Sequence, residues 1–442
     1  MRNLDDYDEG SGPSEETPAH AGGDALAQGN GAARLAIPSP GGPFAIAAIV
    51  LVAIDLRPGI VSIGPILQPI RAEFALSHTS AALLTSIPDL LMGLMALPTP
   101  WLVRRFGRDP VLLLALLLLC LSTAARAFAT DPVILLVTTG GVGAGIAVAG
   151  ALMAGFIKAS FPTKAAVLMG IYATALSFGS TLSAAVTGPI ATGLAGGWRM
   201  AAGVWSLLGV VAILAWMAIA SHERKHRPFV RGAGTLVRLP IRNTTAWLVA
   251  LFFAANNFLF YALLSWTAPM YREYGLSPAT AGLILASFTA AFMFANPVFG
   301  WLSRSDDRRG WLAASAVLTA LGLLPLAVAP TLAPFVFIPL CAFGLGGGFT
   351  LGMTLPLDNT HGVDEANVWN AFVLTVGYLI AAAGPLLVGM IRDAMGDFRP
   401  SIWLLVGLAG VMLALTPFLR PHHHRPTPRR RSGGSAVGRS VA

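Results

Sequence analysis

The chain has 442 residues, of which 55% are hydrophobic and only 11% are charged. Soluble globular proteins carry about a quarter charged residues, so this composition excludes an ordinary soluble domain and indicates a polytopic membrane protein. The formal net charge of +8 does not indicate a nucleic-acid-binding protein, because the Lys and Arg residues lie between apolar segments. The expected partners are a lipid bilayer and a small-molecule substrate, with no nucleic acid.

Apolar segments dominate the chain from residue 44 onward. Residues 1–41 are rich in Gly, Ser, Pro and Ala and are predicted to be a disordered cytoplasmic segment. A six-helix half is predicted over 42–220 and a second over 246–419, with a basic loop over 221–245 between them and an Arg-rich tail over 420–442. Each predicted span is long enough, or nearly so, to cross about 30 Å of hydrocarbon. The twelve spans are 44–68, 79–102, 110–129, 133–157, 165–194, 199–220, 246–268, 279–303, 311–329, 333–356, 367–391 and 400–419.

The distribution of positive charge predicts the orientation of these spans. If both termini are cytoplasmic, about three quarters of the 29 Lys and Arg residues lie on the cytoplasmic side, as the positive-inside rule requires. We therefore expect a multi-pass protein of the inner membrane of a bacterium, most simply a monomer. Arg126, near the end of span three, is expected to extend to the membrane interface. Cys120 and Cys341 lie in apolar spans, and neither a disulfide framework, a metal site nor a cofactor is predicted.

The two halves repeat each other. Residues 73–77, Glu-Phe-Ala-Leu-Ser, recur as Glu-Tyr-Gly-Leu-Ser at 273–277, and the Trp-Leu and Arg residues of 101–108 recur at the same spacing in 301–308. Each half has an even number of spans, so the halves are parallel repeats about an axis normal to the membrane. This arrangement resembles the major facilitator superfamily, whose substrate site lies between the halves near the membrane midplane. The predicted fold is all-α, with 12 transmembrane helices in two pseudo-two-fold-related six-helix halves.

The first span carries two charges near its centre. Asp55 and Arg57 precede Pro58, and each charge costs about 2.5–3.5 kcal/mol at the centre of a membrane helix. Pro58 removes a backbone donor and loosens the helix. Arg57 either contacts an anionic ligand or forms a structural ion pair with Asp89 or Asp55. Asp55 and Arg57 are roughly 200° apart on a regular helix, so both cannot face one cavity unless the break rotates one of them.

Asp89 lies midway along span two, just after Pro88. An unpaired carboxylate in hydrocarbon is neutral, because burial disfavours its charged form. A carboxylate that pairs with Arg57 in one state and is protonated in another could couple transport to protons. A fixed Arg57–Asp89 bridge between spans one and two is the alternative. Asp89 and Asp55 are therefore the candidates for proton coupling or ion pairing.

Polar residues of span seven are further candidates for substrate contact. Asn256 and Asn257 are adjacent, so only one of them can point directly at a cavity, and we favour Asn257 with Tyr261, four residues further on. Trp266 is either a substrate contact or an anchor at the membrane interface. Spans five and eleven each add a tyrosine at a corresponding place, with packing as the alternative role. The candidate substrate-binding residues are Arg57, Asn257, Tyr261, Tyr172, Tyr378, Asn256 and Trp266.

Several stretches resemble the cyanate/nitroimidazole transporter family of that superfamily, among them 56–58 (Leu-Arg-Pro), 170–172 (Gly-Ile-Tyr), 197–199 (Gly-Trp-Arg) and 377–389. The resemblance covers most of residues 44–419. It implies a transporter rather than an enzyme, a small polar solute that is cyanate-like or nitroimidazole-like, and a cavity lined by spans five and eleven. Two positions depart from the family pattern. The family usually has Asn at the position of Asp55, and it usually has no charged residue in span two, where this chain has Asp89.

The loop between spans two and three is similar to the signature gating loop of the superfamily. Its candidate gating residues are Arg104, Arg105, Gly107, Arg108 and Asp109. Arg104 stands where the superfamily usually has a carboxylate, so the usual ion pair cannot form as such. Asp109 is the candidate replacement.

Together these features predict a secondary active transporter that works by alternating access, with protons as a candidate coupling ion. The glycine run 344–348 lacks the Lys-Ser/Thr of a phosphate-binding loop, so close helix packing explains it, and the absence of a nucleotide motif argues against a primary pump. The alternatives are a proton-coupled multidrug or metabolite exporter and a non-transporting membrane sensor on the same fold. Arg57 favours an anion or a polar heterocycle over a large cationic drug.

Overall fold

The computed structural model describes residues 42–95, 97–161, 164–193, 195–224, 239–303, 307–360 and 363–420. The N-terminal segment 1–41, most of the central loop 221–245 and the tail beyond residue 420 lie outside these ranges. The prediction of disorder for residues 1–41 therefore remains a prediction.

The regular structure within the described ranges is helical throughout, which confirms the predicted fold class. The first-half helices are α1 (Gly42–Asp55), α2 (Pro58–Val61), α3 (Ile63–Phe74), α4 (His78–Met95), α5 (Thr99–Phe106), α6 (Arg108–Ala125), α7 (Pro132–Ser160), α8 (Ala165–Gly193), α9 (Gly197–Gly203) and α10 (Ser206–Arg224). The second-half helices are α11 (Thr244–Glu273), α12 (Pro278–Leu302), α13 (Arg309–Val328), α14 (Pro334–Asp358), α15 (Val363–Ala381), α16 (Ala383–Met395) and α17 (Arg399–Leu415). Short 3-10 turns, Arg126–Phe128 and Thr416–Phe418, follow α6 and α17.

Eleven helical stretches of the described chain are long and apolar enough to cross a membrane. One of them, Phe44–Phe74, combines α1, α2 and α3, and another, Gly197–Ser221, combines α9 with most of α10. Helix α4 is less apolar because it carries His78, Asp89 and several hydroxyl side chains. It occupies the place of the second span and completes the twelve-helix, two-half layout.

The sequence repeat is visible in the backbone at the end of the first span of each half. Ala75 follows α3 with φ 51°, and Gly275 follows α11 with φ 87°. Both residues therefore adopt the left-handed conformation that reverses the chain, although only glycine adopts it without steric cost. Ser277 then caps α12, since its hydroxyl accepts a hydrogen bond from the Thr280 N–H at 3.1 Å.

Close helix packing explains the glycine run of α14. A Cβ on Gly344 would lie 2.6 Å from the Ser315 carbonyl oxygen of α13, and one on Gly346 would lie 2.7 Å from the Phe292 carbonyl oxygen of α12. Side chains at these positions would separate the three helices, so the packing interpretation of the run is confirmed. The halves meet where α4 packs on α15 and α16, α8 packs on α12, and α3 packs on α11.

Candidate functional site

A cavity of about 400 Å³ lies between the halves. Its walls come from α4, α7 and α8 of the first half and α14 and α15 of the second, with Leu56 and Arg57 at its base. The lining extends to Leu357 and Ala366, near the ends of α14 and α15 on the side of the membrane where the described chain starts and ends. We call this the terminal side and the opposite one the distal side. The polar side chains on the cavity wall are Arg57, Tyr172, Asn370 and Tyr378.

Arg57 lies at a break in the first span. Helix α1 ends at Asp55, and α2 restarts at Pro58, with the Ile60 and Val61 N–H groups both donating to the Arg57 carbonyl at 3.1 Å. Pro58 has no N–H to continue the ladder of α1, which is why the helix stops there. A side chain at Gly179 would collide with the Ile54 carbonyl, so α8 packs directly against the break. The break predicted from Pro58 is confirmed.

Arg126 stabilises this break, which the sequence reasoning missed. The prediction that it reaches the membrane interface is wrong, because its side chain is fully buried. Its guanidinium donates to the Gly59 carbonyl and, at 3.0 Å, to the Thr139 hydroxyl. Irregular backbone is tolerated at membrane depth only where such partners satisfy it. Arg126 therefore ties α2 to α7 at Gly59, two residues after Arg57.

The free energy of unfolding of the Arg126→Met variant is expected to be about 1–3 kcal/mol lower than that of the unchanged protein, because the Gly59 carbonyl would lose a charged donor while the buried volume is kept. Denaturant unfolding of the purified protein in detergent would measure the loss. Thr139→Val is the matched control, since it removes the hydroxyl partner and leaves the Arg126–Gly59 bond in place. Equal stability of Arg126→Met and the unchanged protein would contradict this role.

Tyrosines surround the Arg57 side chain. Its Nη1 donates to the Tyr261 hydroxyl at 3.3 Å. The Tyr261 ring packs edge-on against Tyr378, with the ring centroids 6.1 Å apart. Tyr172 faces the same cavity from α8. Four of the seven candidate substrate contacts therefore lie together: Tyr172 and Tyr378 are on the cavity wall with Arg57, and Tyr261 accepts a hydrogen bond from Arg57.

The predicted ion pair between Arg57 and Asp89 is absent. Asp89 is fully buried in α4, and neither of its carboxylate oxygens has a hydrogen-bond partner among the described residues. Electrostatic interactions nonetheless link it to Arg57, Tyr261 and Tyr378, so it lies in the same buried neighbourhood. The alternative of a fixed structural bridge between spans one and two is thus wrong for this conformation.

Asp55 faces away from the cavity. It is buried, it lies near Cys120 of α6, and its Oδ2 has no hydrogen-bond partner among the described residues. Arg57 faces the cavity. The expectation that the two side chains cannot share one face is confirmed, and the alternative Arg57–Asp55 ion pair is also absent.

Three residues of α11 that were predicted as substrate contacts lie away from the cavity wall. The amide of Asn257 donates to its own helix at the Phe253 carbonyl (2.8 Å). Asn256 points at Gly348 of α14, and its amide atoms have no hydrogen-bond partner among the described residues. Trp266 is 3% exposed and donates to the Pro385 carbonyl at 2.8 Å, which excludes the interfacial-anchor role as well. The structure does not place these three side chains on the cavity wall.

Asn370 of α15 is a cavity residue that sequence reasoning missed. Its side chain lines the wall, and its Oδ1 has no hydrogen-bond partner among the described residues. The available signal was its position eight residues before Tyr378, which places both on one face of the same helix. Asn370 thus offers an amide beside the phenols.

The predicted gating loop forms α5 and the start of α6. Gly107 joins them with φ 89°, a conformation that favours glycine. Arg108 pairs with Asp109 at 2.8 Å and lies over the Phe156 ring, 4.6 Å from its centroid.

The rest of the loop is solvent-facing. Arg104 is exposed, and Arg105 lies over the Trp101 and Phe106 rings. In the second half, Arg308 pairs with Asp358 of α14 at 2.6 Å. Asp109, by contrast, pairs with Arg108 of its own helix α6.

Comparisons with known proteins agree with this architecture. The sequence profile of the Major Facilitator Superfamily matches residues 46–270 and 246–440. The 2-nitroimidazole transporter of Escherichia coli (strain K12) is 31% identical over 84% of this chain and 93% of its own length. The cyanate transport protein CynX of the same strain is 28% identical over 84% of this chain and 97% of its own length.

A solved structure has the same fold. The crystal structure of a bacterial homologue of the human lysosomal transporter Spinster, in an inward-facing and occupied conformation, superposes with a TM-score of 0.71. It covers 85% of this chain and 96% of its own, at 19% sequence identity.

Proposed function

The chain belongs to the Major Facilitator Superfamily as a transporter of the cyanate and nitroimidazole type, and we propose that it moves a small anionic or polar solute by secondary active transport. Proteins of this superfamily are membrane transporters and not enzymes. Alternating access would be achieved by rocking of the two halves around the midplane cavity. The proposal for the substrate rests on the cavity and, above all, on Arg57.

Arg57 is the observation that carries the proposal. A guanidinium is always charged and has five N–H donors, and within the described chain only the Tyr261 hydroxyl accepts from it. A charge at membrane depth needs a counter-charge, and the nearby carboxylate, Asp89, makes no hydrogen bond to it. A substrate with a negative or strongly polarised oxygen would supply the missing acceptors.

The cavity walls support a planar organic solute more than a three-atom anion. Phe349, Met92 and Met353 give the cavity apolar sides, and its volume of about 400 Å³ lies within the range of about 300–1,000 Å³ typical of small-molecule sites. A ring could pack between these side chains while its polar oxygens face Arg57. We therefore place a nitroimidazole-like solute first and a cyanate-like anion second.

Asp89 is the proposed proton carrier. Its carboxyl group is buried without a partner close to the Arg57 and Tyr261 side chains, so it can be neutral in this state and pair with Arg57 in another. Substrate binding to Arg57 would then compete with the Arg57–Asp89 pair and link solute to proton. Asp55 is less well supported as a carrier, because it faces away from the cavity.

We also propose that the termini are cytoplasmic, as the Lys and Arg distribution predicts. The protein is a multi-pass protein of the kind found in the bacterial inner membrane, and a monomer would suffice for the proposed cycle. In this orientation the terminal side is the cytoplasmic side, and the cavity of the present conformation extends toward the cytoplasm.

The test is transport by the purified protein in proteoliposomes. We expect saturable flux of 2-nitroimidazole, inhibited by small anions, together with a rise in thermal stability when the solute binds. Flux of cationic drugs that nitroimidazole does not inhibit would favour the multidrug exporter. Binding without flux would favour the membrane sensor. Either result would contradict the proposed function.

A further inference from the structure

A cluster of charged side chains closes the distal side between the two halves. It brings the end of α3 and the start of α4 from the first half against the ends of α11 and α16 from the second. We call it the distal cluster; its members are Arg71, His78, Thr79, Glu273, Arg392 and Asp393. Alternating access requires these two halves to separate on this side, so every contact across the cluster must break in each cycle.

His78 is the centre of the distal cluster. Its Nε2 lies 2.7 Å from Glu273 Oε1, and its Nδ1 lies 2.7 Å from Asp393 Oδ1. The rings of Trp266 and Phe398 lie within 5.6 and 5.9 Å of the imidazole, measured between centroids. The imidazole is therefore shielded from solvent and held between two carboxylates of the other half.

The carboxylate oxygens of Asp393 and Glu273 also accept hydrogen bonds from other groups. Asp393 also accepts from the backbone N–H of His78 at 2.9 Å and from the backbone N–H and hydroxyl of Thr79 at 2.8 and 2.7 Å. Glu273 accepts from Arg71 at 3.1 Å and from Arg392 at 2.8 Å. Arg71 and Arg392 are thus the charged groups that face the His78–Glu273–Asp393 triad.

The two short contacts of the imidazole favour one proton more than a neutral histidine and two ionised carboxylates contain. An ionised carboxylate only accepts hydrogen bonds, and a neutral imidazole has one donor and one acceptor nitrogen. With both nitrogens 2.7 Å from carboxylate oxygens, either the ring is doubly protonated or one carboxyl is. Arg71 Nη2 lies 3.1 Å from Nδ1 and can only donate, so a neutral ring would accept from Arg71 there; the shorter contact of Nδ1 with Asp393, 2.7 Å, favours Nδ1 as a donor.

We propose that the closed distal cluster is a proton-binding site, with the proton shared by His78, Glu273 and Asp393, and that its loss favours opening of the distal side. A bound proton gives two charge-assisted hydrogen bonds between the halves. Without it, one ring nitrogen presents its lone pair to a carboxylate, and the closed state loses part of its stabilisation. This site is separate from Asp89 and does not depend on which solute is carried.

The two glutamates related by the repeat differ, since Glu273 contacts the other half and Glu73 contacts its own half. Glu73, the counterpart of Glu273, stays within its own half, where Arg199 and Trp198 donate to its Oε2 at 2.9 and 2.7 Å. The counterpart of Arg199 is Arg399, which lies 3.8 Å from Asp397 and leaves Glu273 available to the other half. Glu73 therefore serves as an internal control for Glu273.

Distance measurements across the distal cluster test the proposal. Spin labels on cysteines introduced at the exposed Ala72 and Ala394 report whether the halves are closed, and the native Cys120 and Cys341 are buried. In nanodiscs, lowering the pH from about 8.5 to about 5.5 should increase the closed-to-open ratio by about tenfold. Burial and the adjacent Asp397 raise the pKa of Tyr274 to about 12, so this neighbour stays protonated throughout the range.

Variants separate a proton site from a purely structural contact. His78→Gln should remove the pH response, whereas Glu73→Gln should retain it in full. Asp393→Asn keeps His78 and should move the midpoint of the response to lower pH, since one proton-stabilising carboxylate is lost. If His78→Gln fails to fold, Asp393→Asn is the variant that tests the proposal. The proposal would be overturned by a pH-independent distance in the unchanged protein, a full response in His78→Gln, or an unshifted midpoint in Asp393→Asn.

Discussion

Replacement of Arg57 by alanine is expected to reduce flux of an anionic or nitro-bearing solute by about 100-fold or more. Removing one member of a buried, hydrogen-bonded charge contact costs about 2–5 kcal/mol, and Arg57 is the cation on the cavity wall. The loss should appear mainly as a weaker apparent affinity, because the guanidinium contacts the solute before any conformational step. Flux and solute-induced thermal stabilisation of the purified variant would measure both quantities.

Two further substitutions define what Arg57 contributes. Arg57→Lys keeps the charge but lacks the planar fork of donors, so we expect it to recover only part of the affinity. Tyr261→Phe removes the acceptor of the Arg57 hydrogen bond and keeps the ring, so its effect should be smaller than that of Arg57→Ala.

Asn257 provides the comparison that could contradict this assignment. It is the repeat counterpart of Arg57, and its amide donates to the Phe253 carbonyl of its own helix. Asn257→Ala should therefore leave the affinity nearly unchanged. If Arg57→Ala retained full affinity while Asn257→Ala abolished it, the proposed recognition by Arg57 would be wrong.

The architecture was predictable because it depends on local patterns. Long apolar segments specify spans, and the recurrence of 73–77 at 273–277 specifies the relation between halves. Arg57 was predictable for the same reason: a charge beside Pro58 in an apolar span is costly unless it has a function. Tyr172 and Tyr378 were candidates because spans five and eleven line the cavity in the family that the chain resembles, and both residues line the cavity here.

The errors arose where the answer depends on how helices surround a residue. In α11, 89% of the residues in the most apolar stretch are buried. Polar residues on any face of this helix are therefore enclosed by protein, and the face on which a residue lies does not show whether it lines a cavity. This is why Asn256 and Asn257 were misplaced. Arg126 was misassigned because its position near a span end does not show that its side chain turns inward to Gly59 and Thr139. The distal cluster joins four helix ends from two halves, and no spacing within one segment can predict that.

The repeat also shows that the buried charge near the cavity belongs to one half. Arg57 and Asp89 correspond to Asn257 and Thr289 in the second half, and both of these are neutral. Thr289 instead forms a 2.9 Å hydrogen bond with Thr181 of α8, across the interface between the halves. Span one is broken at Arg57, whereas its counterpart α11 is continuous. We infer that the first half binds the solute's charge, that both halves supply ring contacts, and that the second half adds the Asn370 amide.

Asp89→Asn is expected to abolish solute accumulation driven by a pH gradient while preserving solute exchange between the two sides of the membrane. Asparagine has nearly the shape of a protonated aspartic acid but cannot release a proton, so the cycle would proceed only with the solute. Proteoliposomes with an imposed pH gradient measure the driven flux, and exchange of labelled for unlabelled solute measures the uncoupled movement. Asp89→Glu keeps an ionisable group and should retain part of the coupling.

Asp55→Asn provides the matched control for Asp89→Asn. Both are buried carboxylates of the first half with at least one oxygen that has no partner in the described chain, but Asp55 faces α6 and does not line the cavity. Its replacement should leave gradient-driven flux unchanged. Gradient-driven accumulation at the normal rate in Asp89→Asn would exclude Asp89 as the proton carrier. If Asp55→Asn lost gradient-driven accumulation instead, the coupling path would run through α1 and α6 rather than beside Arg57. Solute and proton would then not compete for the same guanidinium.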